Sequence, residues 1–126
     1  MEPVPGRILV VDDEPLIGEM VRRTLEDEHT VHVVRSAEEA LALLASGQRF
    51  DAVVSDLQMP GLGGIGLHAA LREREPGLAE RTLFLTGGAT SAASRAFLAR
   101  KDVRFLDKPF RAVELTDAVA RLLGQG

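Results

Sequence analysis

The sequence predicts an α/β fold in which helices cover both faces of a single parallel β-sheet. Five short apolar segments recur along the chain, and each precedes a stretch with apolar residues three and four positions apart, which is typical of a helix. With 126 residues, 45% of them hydrophobic, the chain is long enough to bury one sizeable core. We therefore expect one domain over residues 7–124, after an N-terminal extension over residues 1–6.

The apolar segments are the predicted strands. They are ILVV (8–11), VHVV (31–34), AVV (52–54), LFL (83–85) and VRFL (103–106). The first, third and fourth are apolar throughout, as strands buried on both faces are. His32 and Arg104 give the second and fifth a polar face, which favours the edges of the sheet. Among doubly wound arrangements, the strand order 2-1-3-4-5 puts these two strands at the edges.

Five helices are predicted to alternate with these strands. Apolar spacing marks the first over residues 14–28, and Ser36 with Glu39 forms a capping box that opens the second. Three more are indicated by apolar residues at helical spacing, namely Leu67, Ala70 and Leu71, then Ala93, Ala96 and Phe97, then Leu115, Val119 and Leu122. The plan is therefore five strand–helix units.

Composition excludes several classes of protein. Cysteine is absent, so there is neither a disulfide framework nor a thiolate metal site. No apolar run approaches membrane-span length and the first residues lack signal-peptide features, so we expect a cytoplasmic protein. A net charge of −4 without a basic run argues against nucleic-acid binding by this chain. The residues His29, His32 and His68 lack ligand spacing and are expected at the surface or an edge.

Three acids follow the first and third predicted strands. Asp12 and Asp13 end the first strand and Asp56 ends the third, where the winding of such a sheet reverses and ligands bind. Like charges about 4 Å apart repel by about 4 kcal/mol at an effective dielectric constant of about 20. An all-oxygen site of this kind suits Mg²⁺ or Mn²⁺, which offsets the repulsion. Taken alone, Asp13 and Glu14 also suit the start of a helix.

Other strand ends supply groups suited to phosphoryl transfer, which depends mainly on positioning and charge neutralisation. Asp56 is a candidate nucleophile that would form an aspartyl-phosphate. Thr86 ends the fourth strand with a hydroxyl donor, and Lys108 follows the fifth as a point charge. The bond from Lys108 to Pro109 is a candidate cis peptide.

Four motifs, VVDDEP, VVSDLQMPGLGG, FLTGG and FLDKPF, occur in an order and spacing that resemble the receiver domains of two-component response regulators. The resemblance covers nearly the whole chain and implies a flavodoxin-like (βα)5 fold. It implies that Asp56 accepts phosphate from a histidine kinase or a histidine phosphotransfer domain in phosphorelay signalling. Asp13, Asp56 and the backbone carbonyl of Gln58 would hold Mg²⁺, with Asp12 acting through bound water.

The resemblance also implies a switch. Thr86 would contact the phosphoryl group and Lys108 would pair with it, while Phe105 occupies the aromatic switch position. On phosphorylation Thr86 would move inward and Phe105 would turn to a buried rotamer. This would remodel the face formed by the fourth predicted helix, the fifth strand and the fifth predicted helix.

The loop after the third strand departs from the family pattern. GLGGIG over residues 61–66 lacks the usual acid, so we expect a more mobile loop, and it also matches a dinucleotide fingerprint. That fingerprint belongs directly after a first strand, so we interpret the match as a decoy. Gly88 offers no side chain to orient a hydrolytic water, whereas the amide of Gln58 could do so.

Two other functions remain as alternatives. A haloacid dehalogenase-like phosphohydrolase would carry a second aspartate two residues after the nucleophile, where Gln58 stands. A non-phosphorylated receiver-like interaction module would typically lose an acid or the lysine, and all are kept here.

The output of the domain is expected to be a partner protein, since the last predicted helix ends near Gly124. The chain fits a stand-alone regulator or the receiver of a hybrid histidine kinase. By resemblance, a kinase would dock on the first helix and the loop after Lys108. Phosphorylation could also promote a homodimer through the switch face. The stimulus, the cognate kinase and the downstream partner are not predicted by the sequence.

Overall fold

Five strands form one parallel sheet in the computed structural model, which describes residues 5–88 and 91–124. The strands are β1 (Arg7–Val11), β2 (Thr30–Val34), β3 (Ala52–Asp56), β4 (Thr82–Thr86) and β5 (Arg104–Asp107). Their order is β2-β1-β3-β4-β5, and every neighbouring pair is parallel. The predicted order is confirmed, and all side chains of β3 and β4 are buried while those of β5 are mostly exposed.

Six helices lie in the described ranges, one more than predicted. They are α1 (Pro15–Leu25), α2 (Ala37–Ala45), α3 (Gly63–Arg74), α4 (Pro76–Glu80), α5 (Ala92–Leu98) and α6 (Ala112–Leu122). The additional helix is α4, which is too short to show an apolar period and begins at a proline, the residue favoured at the first helical position. Within the described ranges, no helix has the length and apolar character of a membrane span.

The first helix is shorter than predicted. It ends at Leu25 rather than at residue 28, and the backbone N–H groups of Glu28 and His29 both turn back to the carbonyl of Leu25. Three acids occupy residues 26–28, and negative charge is unfavourable at the carboxyl end of a helix. The local charge therefore ends α1 early.

The predicted capping box at the start of α2 is half right. Ser36 Oγ accepts a hydrogen bond from the backbone N–H of Glu39 at 3.0 Å, as expected. The Glu39 carboxylate, however, accepts from the N–H of Arg35 at 3.0 Å, one residue before the cap. Both contacts still anchor the first turn of α2.

Alternation along the strands divides the core between the two faces of the sheet. Ile8 and Val10 face α1 and α6, whereas Leu9 and Val11 face α2, α3 and α4. A smaller cluster of Leu57, Phe84, Phe97 and Val103 lies under α5. Helices thus cover both faces, and the carboxyl edge of the sheet is left for a site.

The start of α3 packs closely on the end of β3. Part of the glycine-rich stretch expected as a loop is helical, because α3 begins at Gly63. The N–H of Gly64 donates to the carbonyl of Leu57 at 3.1 Å, and a Cβ at Gly64 would lie 2.9 Å from the carbonyl oxygen of Asp56. Only glycine fits there without a backbone shift, so α3 holds the residues that follow β3.

Two of the three histidines, His29 and His68, are buried. His29 directly precedes the edge strand β2, but for His68, which lies in the core, the predicted position at the surface or an edge was wrong. His32 is exposed on β2, but His29 accepts a hydrogen bond from the N–H of Gly6 at 3.1 Å. His68 on α3 packs edge to face against Phe84 and Phe97, with ring centroids 5.8 and 5.3 Å away. Its Nδ1 has no hydrogen-bond partner in the described structure. A polar ring therefore fills an aromatic position in the core.

We expect His68→Leu to raise the free energy of unfolding by about 1 to 3 kcal/mol at neutral pH, because it removes a buried unpaired nitrogen. Burial is the main cause that lowers the pKa of His68 from 6.5, and the charge of Arg100 adds to it. The unfolded chain therefore binds more protons, and wild-type stability falls as the pH drops below the unfolded pKa. Leucine cannot titrate, so this part of the pH dependence should disappear.

Denaturant unfolding at about pH 7.5 and about pH 5.5 would measure both effects. His32→Gln is the matched control, since it removes a histidine side chain that is exposed on β2, and this variant should behave like wild type in both measurements. Equal losses of stability in wild type and His68→Leu on acidification would contradict the assignment.

Candidate functional site

Three carboxylates meet at the carboxyl edge of the sheet. Val11 of β1 pairs with Ser55 of β3, so Asp12 and Asp56 come next on adjacent strands. One oxygen each from Asp12, Asp13 and Asp56 lies within 4.8 Å of the others. The structure thus brings together the three acids that the sequence singled out, with Asp13 the most open of them to solvent.

Asp12 is the most constrained of the three carboxylates. Its side chain is buried, and Oδ1 accepts a hydrogen bond from the N–H of Glu14 at 2.9 Å. The other oxygen, Oδ2, is buried with no partner in the described ranges. Burial raises the pKa of Asp12 to about 6, and the charge of Asp56 adds to this. An unpaired buried oxygen is costly, and a cation would supply the missing partner.

Asp56 is only 6% exposed and pairs with Lys108, whose Nζ lies 3.2 Å from its Oδ1. Burial raises the pKa of Asp56 and the charge of Lys108 opposes this rise. The backbone fixes the lysine, since the N–H of Lys108 donates to the carbonyl of Thr86 at 2.7 Å. The Lys108–Pro109 peptide bond is cis. The ammonium group is therefore in contact with the acid that ends β3.

Thr86 and Phe105 lie on neighbouring strands and share one face of the sheet. Phe105 pairs with Phe84, and Thr86 is two residues further along β4. Thr86 is fully buried, and its Oγ1 accepts a hydrogen bond from the N–H of Gly88 at 3.1 Å. Phe105 is 38% exposed. The two residues predicted as a switch are thus close in the sheet, with the threonine inside and the aromatic ring partly outside.

Gln58 ties the segment after β3 to the segment after β4. Its Nε2 donates to the carbonyl oxygen of Gly88 at 3.0 Å, while its backbone lies two residues beyond Asp56. The amide, which the sequence suggested for orienting water, is therefore in contact with the backbone after β4. The role predicted for the Gln58 carbonyl as a metal ligand stays a prediction.

A hydrogen bond from the turn before α3 to a side chain of α2 was not predicted from the sequence. Glu38 Oε2 accepts a hydrogen bond from the backbone N–H of Leu62 at 3.1 Å, and a Cβ at Gly61 would lie 2.7 Å from the same oxygen. The contact steadies the turn between β3 and α3. No sequence pattern indicated it, because an acid in the first turn of a helix is expected for electrostatic reasons alone.

The arrangement suits a hard cation together with an anionic group. All three candidate side-chain donors are carboxylates, with no imidazole or thiolate among them, which is the donor set of Mg²⁺ or Mn²⁺. The unpaired oxygen of Asp12 fits such an ion. Thr86 and Lys108 lie at the same carboxyl edge of the sheet as Asp56. Both are suited to contact a phosphoryl group that is bound to Asp56.

Known proteins show the same pattern. The family model described as the response regulator receiver domain matches residues 8–120. Transcriptional regulatory protein TcrA of Mycobacterium tuberculosis is 34% identical over 121 residues, which cover 95% of this chain and 47% of that protein. Sensor kinase CckA of Brucella abortus is 34% identical over 118 residues, which cover 92% of this chain and 12% of the kinase.

A solved structure of a receiver protein is also similar to this chain. The response regulator receiver protein from Sinorhizobium medicae WSM419 has a TM-score of 0.80 and 32% identity, covering 98% of this chain and 96% of that one. This chain spans less than half of each of the two curated relatives. It belongs to the response regulator receiver domain family, and it is a receiver domain of two-component signalling.

Proposed function

We propose that Asp56 is the phosphoacceptor of this receiver. The contact between Asp56 and Lys108, 3.2 Å apart beside two further acids, carries the proposal. The family acts in signalling, and we infer that this chain promotes only its own phosphorylation and dephosphorylation. The domain limits of 7–124 and the cytoplasmic location remain predictions.

The acidic edge fits Mg²⁺, with Mn²⁺ as an alternative ion. Asp13, Asp56 and the backbone carbonyl of Gln58 would hold it, and Asp12 would contact its water. When bound, the ion neutralises charge on phosphoryl oxygens. The buried, unpaired Oδ2 of Asp12 supports this assignment.

Asp56, Lys108 and Thr86 would each have a separate role in the phosphoryl transfer. A carboxylate oxygen of Asp56 attacks phosphorus, the bond from phosphorus to the donor histidine nitrogen breaks, and that nitrogen leaves with the electron pair. The ammonium group of Lys108 shifts from the carboxylate to a phosphoryl oxygen. The Thr86 hydroxyl, which accepts a hydrogen bond from the N–H of Gly88 in this structure, donates a hydrogen bond to another phosphoryl oxygen and keeps its proton.

The donor would be a histidine kinase or a histidine phosphotransfer domain. Leu16 and Met20 project from α1 with 85% and 41% of their surface exposed. Next to them a cavity of about 360 Å³ is lined by Ile17, Met20, Lys108, Pro109 and Phe110. This apolar surface beside the acceptor supports docking through α1 and the segment after Lys108.

The output face would be formed by α5, β5 and α6. Phe105 on β5 and Val113 on α6 expose 38% and 51% of their surface there. If Thr86 moves toward the phosphoryl group, Phe105 can turn into the space beside it on the same face of the sheet. This change would control a partner protein or a phosphorylation-dependent homodimer, in a stand-alone regulator or in the receiver of a hybrid kinase.

Neither alternative function is favoured by a specific observation. For a haloacid dehalogenase-like phosphohydrolase, the position two after Asp56 would need an acid, and Gln58 instead contacts Gly88. A non-phosphorylated interaction module would not require the cluster of three acids or its contact with Lys108. The phosphoacceptor proposal accounts for both features.

Incubation with acetyl phosphate and Mg²⁺ should add one phosphoryl group to the wild-type chain, as measured by intact mass. Asp56→Asn should abolish the gain because the nucleophile is lost. Asp117→Asn, an exposed substitution of the same kind on α6, should behave like wild type. A mass gain retained in Asp56→Asn would overturn the acceptor assignment.

Magnesium should stabilise the folded chain, by about 2.7 kcal/mol at a concentration one hundred times the dissociation constant. Without metal, Asp13→Asn should be more stable than wild type because one repelling charge is gone. Addition of magnesium should raise the stability of Asp13→Asn by less than it raises the stability of wild type. Thermal unfolding in EDTA and in MgCl₂ measures both effects, with Asp117→Asn as the control. An equal increase in stability on addition of MgCl₂ in wild type and in Asp13→Asn would contradict the proposed metal site.

A further inference from the structure

A second charged feature lies at the opposite edge of the sheet from Asp56. Here a groove of about 470 Å³ lies at the amino-terminal ends of β4 and β5. It is lined mainly by charged residues, Glu80, Arg81, Lys101, Asp102, Arg104 and Arg121. Four of these six are cations, although the chain as a whole carries a net charge of −4.

The four cations are not paired with carboxylates of the described residues. Over the described ranges, Arg81, Lys101, Arg104 and Arg121 have no carboxylate oxygen within 4.0 Å. Of the two acids that line the groove, Asp102 is paired with Arg100 at 2.6 Å and with Arg72 at 3.7 Å. The described part of the groove therefore carries four cations against two acids, and one of these acids is already paired with arginines that do not line the groove.

Two of the guanidinium groups are held in place by the backbone. Arg104 Nη1 donates to the carbonyl of Glu80 at 2.6 Å, and Arg81 Nε donates to the carbonyl of Asp51 at 2.6 Å. Each guanidinium has five N–H donors, so most of them remain to bind an anion. Fixing an arginine side chain beforehand lowers the entropy lost on binding.

We propose that this groove binds an acidic segment of a partner protein. Glu80 and Asp102 lie among the cations and would repel a compact polyanion such as tripolyphosphate. An extended chain with spaced carboxylates can contact the cations and pass between the two acids. No aromatic side chain lines the groove in the described structure, so bases of a nucleic acid would find no stacking surface.

The groove is separate from the phosphorylation site. Asp56 ends β3 at the carboxyl edge, whereas Arg81 precedes β4 and Arg104 begins β5 at the other edge. An acidic partner can therefore remain bound while a phosphodonor occupies Asp56. The proposal does not depend on the phosphoacceptor assignment.

Titration of the isotope-labelled chain with a peptide of alternating glutamate and glycine tests the proposal by NMR. Amide shifts should concentrate at residues 80–81, 101–104 and 121–122, and affinity should fall as salt is raised. Lys101→Glu with Arg121→Glu should weaken binding by about tenfold or more, because two attractions become repulsions. Lys101→Gln with Arg121→Gln should weaken it less.

Arg35→Glu with Arg74→Glu is the matched control. It makes the same change of charge, again at one residue outside the helices and one in the last turn of a helix, but away from the groove. This pair should keep wild-type affinity. Absence of binding to wild type, equal weakening in both pairs, or tighter binding of tripolyphosphate or a single-stranded oligonucleotide at the same residues would overturn the proposal.

Discussion

Repulsion among three carboxylates is the constraint on which the functional edge of this receiver depends. Parallel pairing of β1 with β3 places Asp12 beside Asp56, and Asp13 follows at once in the chain. Burial of the carboxylate is the main cause that raises the pKa of Asp12 to about 6, and the negative charges of Asp56 and Asp13 add to this rise. Lys108 balances part of this charge through Asp56, but Oδ2 of Asp12 is left without a partner in the described structure. This unpaired oxygen supports the proposed binding of a divalent cation.

The same strand ends connect this edge with the proposed output face. Thr86 is the last residue of β4; its carbonyl accepts a hydrogen bond from the N–H of Lys108, and its hydroxyl accepts one from the N–H of Gly88. One strand over, Phe105 pairs with Phe84 and shares the face on which Thr86 lies. A new anion at Asp56 would compete for both the lysine and the threonine. Their backbone contacts link such a change to β5 and its neighbours.

Much of this could be predicted because its signals are local. Uniform apolar character separated the central strands from the edge strands, which His32 and Arg104 marked, and the doubly wound order then placed Asp12 near Asp56. What could not be predicted depends on long-range packing. The five-residue helix α4 is too short to show a period, and a histidine at position 68 can face either solvent or core until α5 is in place. The contact from Glu38 to Leu62 spans 24 residues.

Calorimetric titration of the metal-free chain with MgCl₂ tests the central claim most directly. The account predicts uptake of one ion per chain, and it predicts that replacing both Asp12 and Asp56 with asparagine abolishes this uptake because only one of the three carboxylates remains. No measurable uptake by the wild-type chain, or uptake of equal affinity in the double variant, would contradict it.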